Sequence, residues 1–172
     1  DVLGNLGTIH YISTSKTTVE GDTNNSSTYN KVHVGFGLWP TAMEGLDQFL
    51  VIAFYEGSAS NLSQGGAKIA FWDTTSTNVN KITWVEYPDP FISAMRNVNG
   101  TLYVTSGRVN ARGTRVMRYL GGYTFEEVRV IGDGAPPFAG ALAGNSMRVL
   151  VGSFADVPTT AGGVQAVTPS GD

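Results

Sequence analysis

Phe91-Ile92-Ser93-Ala94-Met95-Arg96-Asn97-Val98-Asn99-Gly100-Thr101-Leu102-Tyr103-Val104-Thr105-Ser106 is the stretch on which the fold turns. Asn99-Gly100 suits the two positive-φ positions of a tight hairpin turn. Phe91 to Val98 therefore reads as one strand and Leu102 to Ser106 as the next. The second of these is a run of apolar and β-branched residues, the pattern of a strand buried on both faces. After a loop over Gly107 to Gly113, Arg115 to Tyr119 reads as a third strand, and Gly121-Gly122 turns the chain again. Phe125 to Ile131 reads as a fourth, with Val128, Arg129 and Val130 alternating as on a strand with one wet face. The whole is an antiparallel four-stranded meander.

The same pattern lies on either side. Ala94-Met95 stands eight residues before Leu102-Tyr103-Val104; Ala42-Met43 leads in the same way to Leu50-Val51-Ile52, and Ala141-Leu142 to Val149-Leu150-Val151, so the copies begin 52 and then 47 residues apart. Self-similarity at such a period points to a stacked or radial array of one supersecondary unit. Gly66-Ala67-Lys68-Ile69 precedes Gly113-Thr114-Arg115-Val116 by 47 residues, and Lys81 to Tyr87 is the fourth strand of that earlier unit. Pro88-Asp89-Pro90-Phe91 matches Ala135-Pro136-Pro137-Phe138, proline there ending an outer strand and redirecting the chain. Pro40 stands 50 residues before Pro90, and Lys31-Val32-His33-Val34 stands 50 before Lys81-Ile82-Thr83-Trp84.

The expected fold is thus all-β, with thirteen strands in units the size of a β-propeller blade. Residues 1–39 would hold the third and fourth strands of a preceding blade, Thr8 to Ile12 and Lys31 to Val34, joined by a long polar surface loop over 13–30. Residues 40–88 and 89–134 would each be a blade. Residues 135–172 would be an incomplete one, running through Phe138 to Ala143, Arg148 to Ser153 and Gly163 to Val167 and lacking its fourth strand. About three blades do not close a ring, which usually takes 4 to 8. The expectation is part of a ring of about six to eight blades, completed by a longer polypeptide or by subunits that share it. The one weak helical candidate, Thr41 to Phe49, is overruled by its alignment with two segments that read as strands.

Composition narrows the functional classes. The 172 residues are 41% apolar, enough for a globular core, and 22 glycines favour short strands and turns. Charged residues make up 15%, the net charge is -3 and the 11 Lys and Arg are scattered, which speaks against a nucleic-acid partner or an anionic membrane surface. There is no cysteine, hence neither a disulfide framework nor a thiolate metal site. Apolar runs such as Phe49 to Tyr55 are far shorter than the roughly 20 residues of a membrane helix.

Chemistry-bearing residues are few. His10 and His33 lie in expected strands without a paired carboxylate motif, and Asp22, Asn24 and Asn25 lack the spacing of a calcium loop. No nucleophile elbow, zinc-binding His pair or phosphate loop occurs. The expectation is no catalytic residue, no metal, no cofactor and no enzymatic activity. Trp39, Trp72, Trp84 and Tyr87 have the apolar ring faces that stack on sugars, although such rings more often fill the space between blades. Trp39 and Trp72, with Arg108 and Arg112, form the candidate glycan-binding set.

Asn99-Gly100-Thr101-Leu102-Tyr103-Val104, followed by Gly113 to Tyr119 and by Thr124-Phe125-Glu126-Glu127-Val128, resembles the blades of irregular β-propellers. These occur in kelch-like and sialidase-like proteins and in phage tail components such as the nozzle of short-tailed phages. Sialidase-type blades carry an Asp-box between the third and fourth strands. Thr77 through Thr83-Trp84 keeps its outer spacing, but Val79 and Lys81 stand at the Asp and Gly positions, and Leu120 stands at the Asp position of the next unit. A sialidase would also need an arginine cluster, an acid and a tyrosine nucleophile; Arg108, Arg112, Glu56 and Tyr55 match that set only loosely. The resemblance implies a non-enzymatic structural or adhesion propeller, most directly a virion tail component making protein-protein contacts within a homo-oligomer or larger assembly. A secreted carbohydrate-binding propeller is the alternative, and a sialidase-like glycosidase a more distant one. The implied location is the virion or the extracellular space.

Overall fold

The computed structural model describes residues 9–13, 29–33, 38–56, 66–75, 82–107, 113–131, 138–145, 147–154 and 163–168. Among them are thirteen strands and no helix: β1 (Ile9–Ser13), β2 (Tyr29–His33), β3 (Leu38–Leu46), β4 (Phe49–Glu56), β5 (Gly66–Asp73), β6 (Ile82–Tyr87), β7 (Phe91–Val98), β8 (Thr101–Gly107), β9 (Thr114–Gly121), β10 (Thr124–Ile131), β11 (Phe138–Gly144), β12 (Val149–Phe154) and β13 (Gly163–Val167). β3 to β6 and β7 to β10 form two four-stranded meanders, and β11 to β13 form a three-stranded one. All neighbours within these sheets are antiparallel.

Two expectations change. β1 and β2 pair in parallel, Ile9 opposite Tyr29, where the third and fourth strands of a meander would be antiparallel. A parallel pair needs a crossover of about a dozen residues or more, and 15 residues separate Ser13 from Tyr29. Pro40 is not the counterpart of Pro90. It lies inside β3, opposite Phe54, so the first four-stranded unit starts at Leu38 and includes Trp39. β3 is an edge strand, where the missing proline N–H leaves no ladder bond unmade.

Local chemistry explains the turns. Asn99 and Gly100 have φ of 52° and 79°, the pair of positive values that a two-residue hairpin requires. The turn from β9 to β10 runs through Gly121, Gly122 and Tyr123, all with positive φ. In each of the three meanders the first hairpin also carries a register shift in the same place: between Pro40 and Ala42, between Ile92 and Ala94, and between Ala139 and Ala141. The extra residue of such a bulge leaves backbone groups out of the ladder. At two of the three, a hydroxyl restores the link. Thr41 Oγ1 donates to the Ala53 carbonyl at 3.5 Å, and Ser93 Oγ donates to the Thr105 carbonyl at 3.2 Å.

The sheets stack, each with a forward face toward the next sheet and a rear face toward the one before. Forward residues of the first sheet (Val51, Ala53, Ile69, Phe71) pack on rear residues of the second (Ile92, Leu102, Val104, Met117). Forward residues of the second (Val98, Tyr103, Val116) pack on rear residues of the third (Val149, Val151, Val167). Burying one such side chain contributes about 1.5–3 kcal/mol. Aromatic rings reinforce the first of these interfaces, with Phe71 of β5 5.2 Å from Tyr119 and 5.1 Å from Tyr123 of the β9–β10 hairpin. β8 is covered on both faces: Leu102, Val104, Thr105 and Ser106 have no exposure and Tyr103 has 2%.

The first strands draw the sheets together, β7 lying against β3 on one side and β11 on the other. Asn97 Nδ2 donates to the Gly45 carbonyl at 3.0 Å, and Arg96 pairs with Glu44 at 3.5 Å. At the other interface Gly144 lies over Val98: a Cβ there would stand 2.6 Å from Val98 Cγ2 and 3.0 Å from the Arg148 carbonyl. Valine is stiff at χ1 and the carbonyl belongs to the adjoining turn, so neither gives way easily. Gly144→Ala should lower unfolding stability by about 1–3 kcal/mol through overpacking. In urea titrations, the added substitution Val98→Ala should recover part of that loss.

Candidate functional site

Where the chain leaves the outer strand of the first sheet for the edge strand of the second, Pro88-Asp89-Pro90 forms the link. Proline on either side fixes the backbone, and the Asp89 side chain turns inward to 3% exposure. Ser106 Oγ, at the end of β8, donates to Asp89 Oδ2 at 2.5 Å. Tyr87 Oη lies 3.3 Å from Ser106 Oγ. With the serine proton directed at the carboxylate, the tyrosine is the donor in that second bond. Arg115 Nε, on β9, stands 3.4 Å from Asp89 Oδ2 and 3.3 Å from Glu127 Oε2 of β10. It meets neither in hydrogen-bonding geometry, so the attraction there is between charges.

This chain of groups ties the end of β6, the link and β8 to β9 and β10. Burial holds the Tyr87 phenol proton on well above the ordinary tyrosine range, with Ser106 and Arg115 pulling the other way and Asp89 and Glu127 adding to the rise. Tyr87 is therefore a neutral donor at ordinary pH. Ser106 has no exposure and Asp89 almost none, so the pair, although a hydroxyl on a carboxylate, is closed to a substrate. Its work is to hold the crossover between two sheets. Sequence reasoning missed this cluster; the available signal was the aspartate fenced by two prolines, a residue type that is seldom buried unless paired.

Of the expected glycan set, Trp39 and Trp72 are among the described residues. Trp39, on β3, is 55% exposed, but Trp72, on β5, is 3% exposed and has no free ring face for a sugar. Trp72 is a wall residue, because its position in β5 points it to the rear of the first sheet, opposite Leu50. Trp84 is partly exposed and leans on Phe54 at 5.6 Å, and Tyr87 is buried in the cluster above. Arg108 and Arg112 lie outside the described residues, as do Asp22, Asn24, Asn25 and Thr77 to Lys81. Of the loose sialidase set, Tyr55 is buried against Phe91 at 6.1 Å, and Glu56 pairs with Lys68 at 2.8 Å. That hydrogen bond is the main cause of a raised Lys68 pKa. His10 falls in β1 and His33 in β2. Among the described residues no group of three His, Asp or Glu side chains is placed to hold a metal ion, and no helix is long and apolar enough to cross a membrane.

These features define the class: an all-β chain of stacked antiparallel meanders, joined through their first strands. Comparison with protein-family models, with curated proteins and with solved structures gives no match.

Asp89→Ala leaves Arg115 and Ser106 facing each other without their carboxylate and should lower stability by about 3 kcal/mol in denaturant titrations. Glu127→Ala, half-exposed, should lower it by less than about 1 kcal/mol. Because the folded-state pKa of Tyr87 is raised, its contribution is intact below the unfolded value of about 10 and is lost as pH rises beyond it. Between pH 9 and 11 the thermal midpoint of Tyr87→Phe should fall less than that of the wild type.

Proposed function

We propose that this chain is a non-enzymatic structural or adhesion module of the β-propeller kind. Its two full meanders and its three-stranded one would be about three blades of a ring of about six to eight, in a virion tail component that packs against neighbouring subunits. One observation carries the propeller reading: consecutive sheets touch through their first strands, and the first two do so through equivalent positions. Glu44 meets Arg96 and Gly45 meets Asn97, each 52 residues on, and the closest strand pairs between the sheets are those of first strands, β3 with β7 and β7 with β11. Contacts between equivalent residues near one edge are what a radial array requires. The virion assignment rests on the resemblance of residues 99–128 to tail propellers, together with a chemistry-poor, scaffold-rich chain. Imaging of purified particles by electron microscopy tests it: sheets arranged around a central axis support it, and an open linear stack refutes it.

A secreted glycan-binding propeller is the second reading, and exposed Trp39 is the observation that favours it. On a glycan array the scaffold reading expects no reproducible binding. Binding that disappears in Trp39→Ala, with unchanged melting, would replace it with the lectin.

A further inference from the structure

The tip of the β7–β8 hairpin carries the only Asn-Gly dipeptide of the chain, Asn99-Gly100. Both residues are exposed, so water reaches them. An asparagine followed by glycine can react with its own backbone, because no Cβ on the glycine obstructs the approach of its nitrogen to the asparagine carboxamide. That attack begins only when the glycine nitrogen has lost its proton and swung toward the carboxamide carbon.

In this hairpin the Gly100 N–H is already engaged. It donates to Asn97 Oδ1 at 2.9 Å, while Asn97 Nδ2 donates to the Gly45 carbonyl of the first sheet at 3.0 Å. The half-buried Asn97 amide is thus used at both ends. Its bond to the neighbouring sheet fixes the oxygen that Gly100 meets. The equivalent positions in the other two meanders, each opposite the first residue of the apolar triplet, are Gly45 and Gly144. Neither has a side chain to offer, and neither turn holds an Asn-Gly: Asp47-Gln48 follows in the first and Asn145-Ser146 in the third. The acceptor stands only where the labile dipeptide stands.

We infer that Asn99 is a site of spontaneous deamidation and that Asn97 is the positioning residue that restrains it. In the restrained reaction, hydroxide takes the Gly100 N–H proton and the nitrogen bonds to Asn99 Cγ. The Cγ–Nδ2 bond breaks, and the carboxamide nitrogen leaves as ammonia with a proton from water. Water then opens the resulting succinimide at either carbonyl, giving aspartate or isoaspartate, so that one water is consumed and one ammonia released. Aspartate suits the turn, since Asp47 holds the equivalent position at φ 49° beside 52° for Asn99. Isoaspartate lengthens the backbone of a two-residue turn by one atom, which the hairpin register does not accommodate. Separation of the first two sheets frees the Asn97 amide, so the intact contact protects the tip and a broken one exposes it to irreversible change.

Peptide mapping by mass spectrometry over a time course at mildly alkaline pH tests the inference, with folded wild type, wild type in urea, Asn97→Ala and Asn97→Asp. Folded wild type should lose the Asn99 amide about tenfold or more slowly than the chain in urea. Asn97→Ala should deamidate roughly 3- to 10-fold faster than folded wild type, the effect of one hydrogen bond. Asn97→Asp keeps an oxygen acceptor for Gly100 and should stay close to the wild type, a rescue that loss of packing alone would not produce. Hydrogen exchange of the Gly100 amide in the wild type reads the same deprotonation without any variant, and it should be protected. A folded wild type that deamidates as fast as the chain in urea, an Asn97→Ala chain as slow as wild type, an Asn97→Asp chain as fast as Asn97→Ala, or an unprotected Gly100 amide would each overturn the inference.

Discussion

A sheet that is apolar on both faces cannot stand at the surface, and the second sheet is such a sheet. Leu102 and Val104 point to the first sheet, Tyr103 and Val116 to the third, and none of them is more than 2% exposed. Everything else follows from covering those two faces. A two-sided strand of this kind is familiar from parallel sheets enclosed by helices. Here no helix is present among the described residues, so the cover on each side is another meander. Stacking of sheets is then forced by composition, and the first strands decide at what distance it happens.

Covering both faces of β8 also buries polar groups that need partners. Thr105 and Ser106 lie in its fully buried stretch. Thr105 Oγ1 lies 3.1 Å from Ser93 Oγ at the bulge of β7, and Ser106 is held by Asp89 and Tyr87. An unsatisfied hydroxyl in this position would cost about 1–3 kcal/mol. The bulge and the proline-fenced link thus have related tasks on one strand. Each brings an oxygen from the neighbouring edge to a hydroxyl that water cannot reach.

Much of this was legible in the sequence, because strand period, glycine turns and alternating burial are local signals. The four strands of the middle unit were read to within two residues of their observed bounds, and Asn99-Gly100 announced its turn through the φ values that only such residues adopt readily. Four things were not legible. The parallel pairing of β1 with β2 depends on a long connection, and no local pattern encodes which way a distant strand returns. Pro40 misled because a proline within an edge strand beside a bulge looks, in sequence, like a proline that ends one. The burial of Trp72 was hidden because β5 is covered on both faces, Ala70 and Trp72 to the rear and Ile69 and Phe71 forward, so neither parity leaves its ring in solvent. The Asp89 cluster was missed for a different reason, since it joins five residues from β6, the link after it, β8, β9 and β10, and only the fold brings them together.

The unequal spacing of the three alanines, 52 and then 47 residues, has a structural reading. From Ala42 to Gly66 is 24 residues and from Ala94 to Gly113 is 19, so the five-residue difference between the two spacings falls entirely between these points (24 − 19 = 5 and 52 − 47 = 5). The bulges and first hairpins are aligned residue for residue in both sheets. The extra length therefore lies in the connection from β4 to β5: between the equivalent pairs Tyr55–Ala67 and Gly107–Thr114 stand 11 residues in the first sheet and six in the second. A connection can lengthen at little entropic cost, whereas one residue added to β3 or β7 would break the contacts of Glu44 with Arg96 and of Gly45 with Asn97.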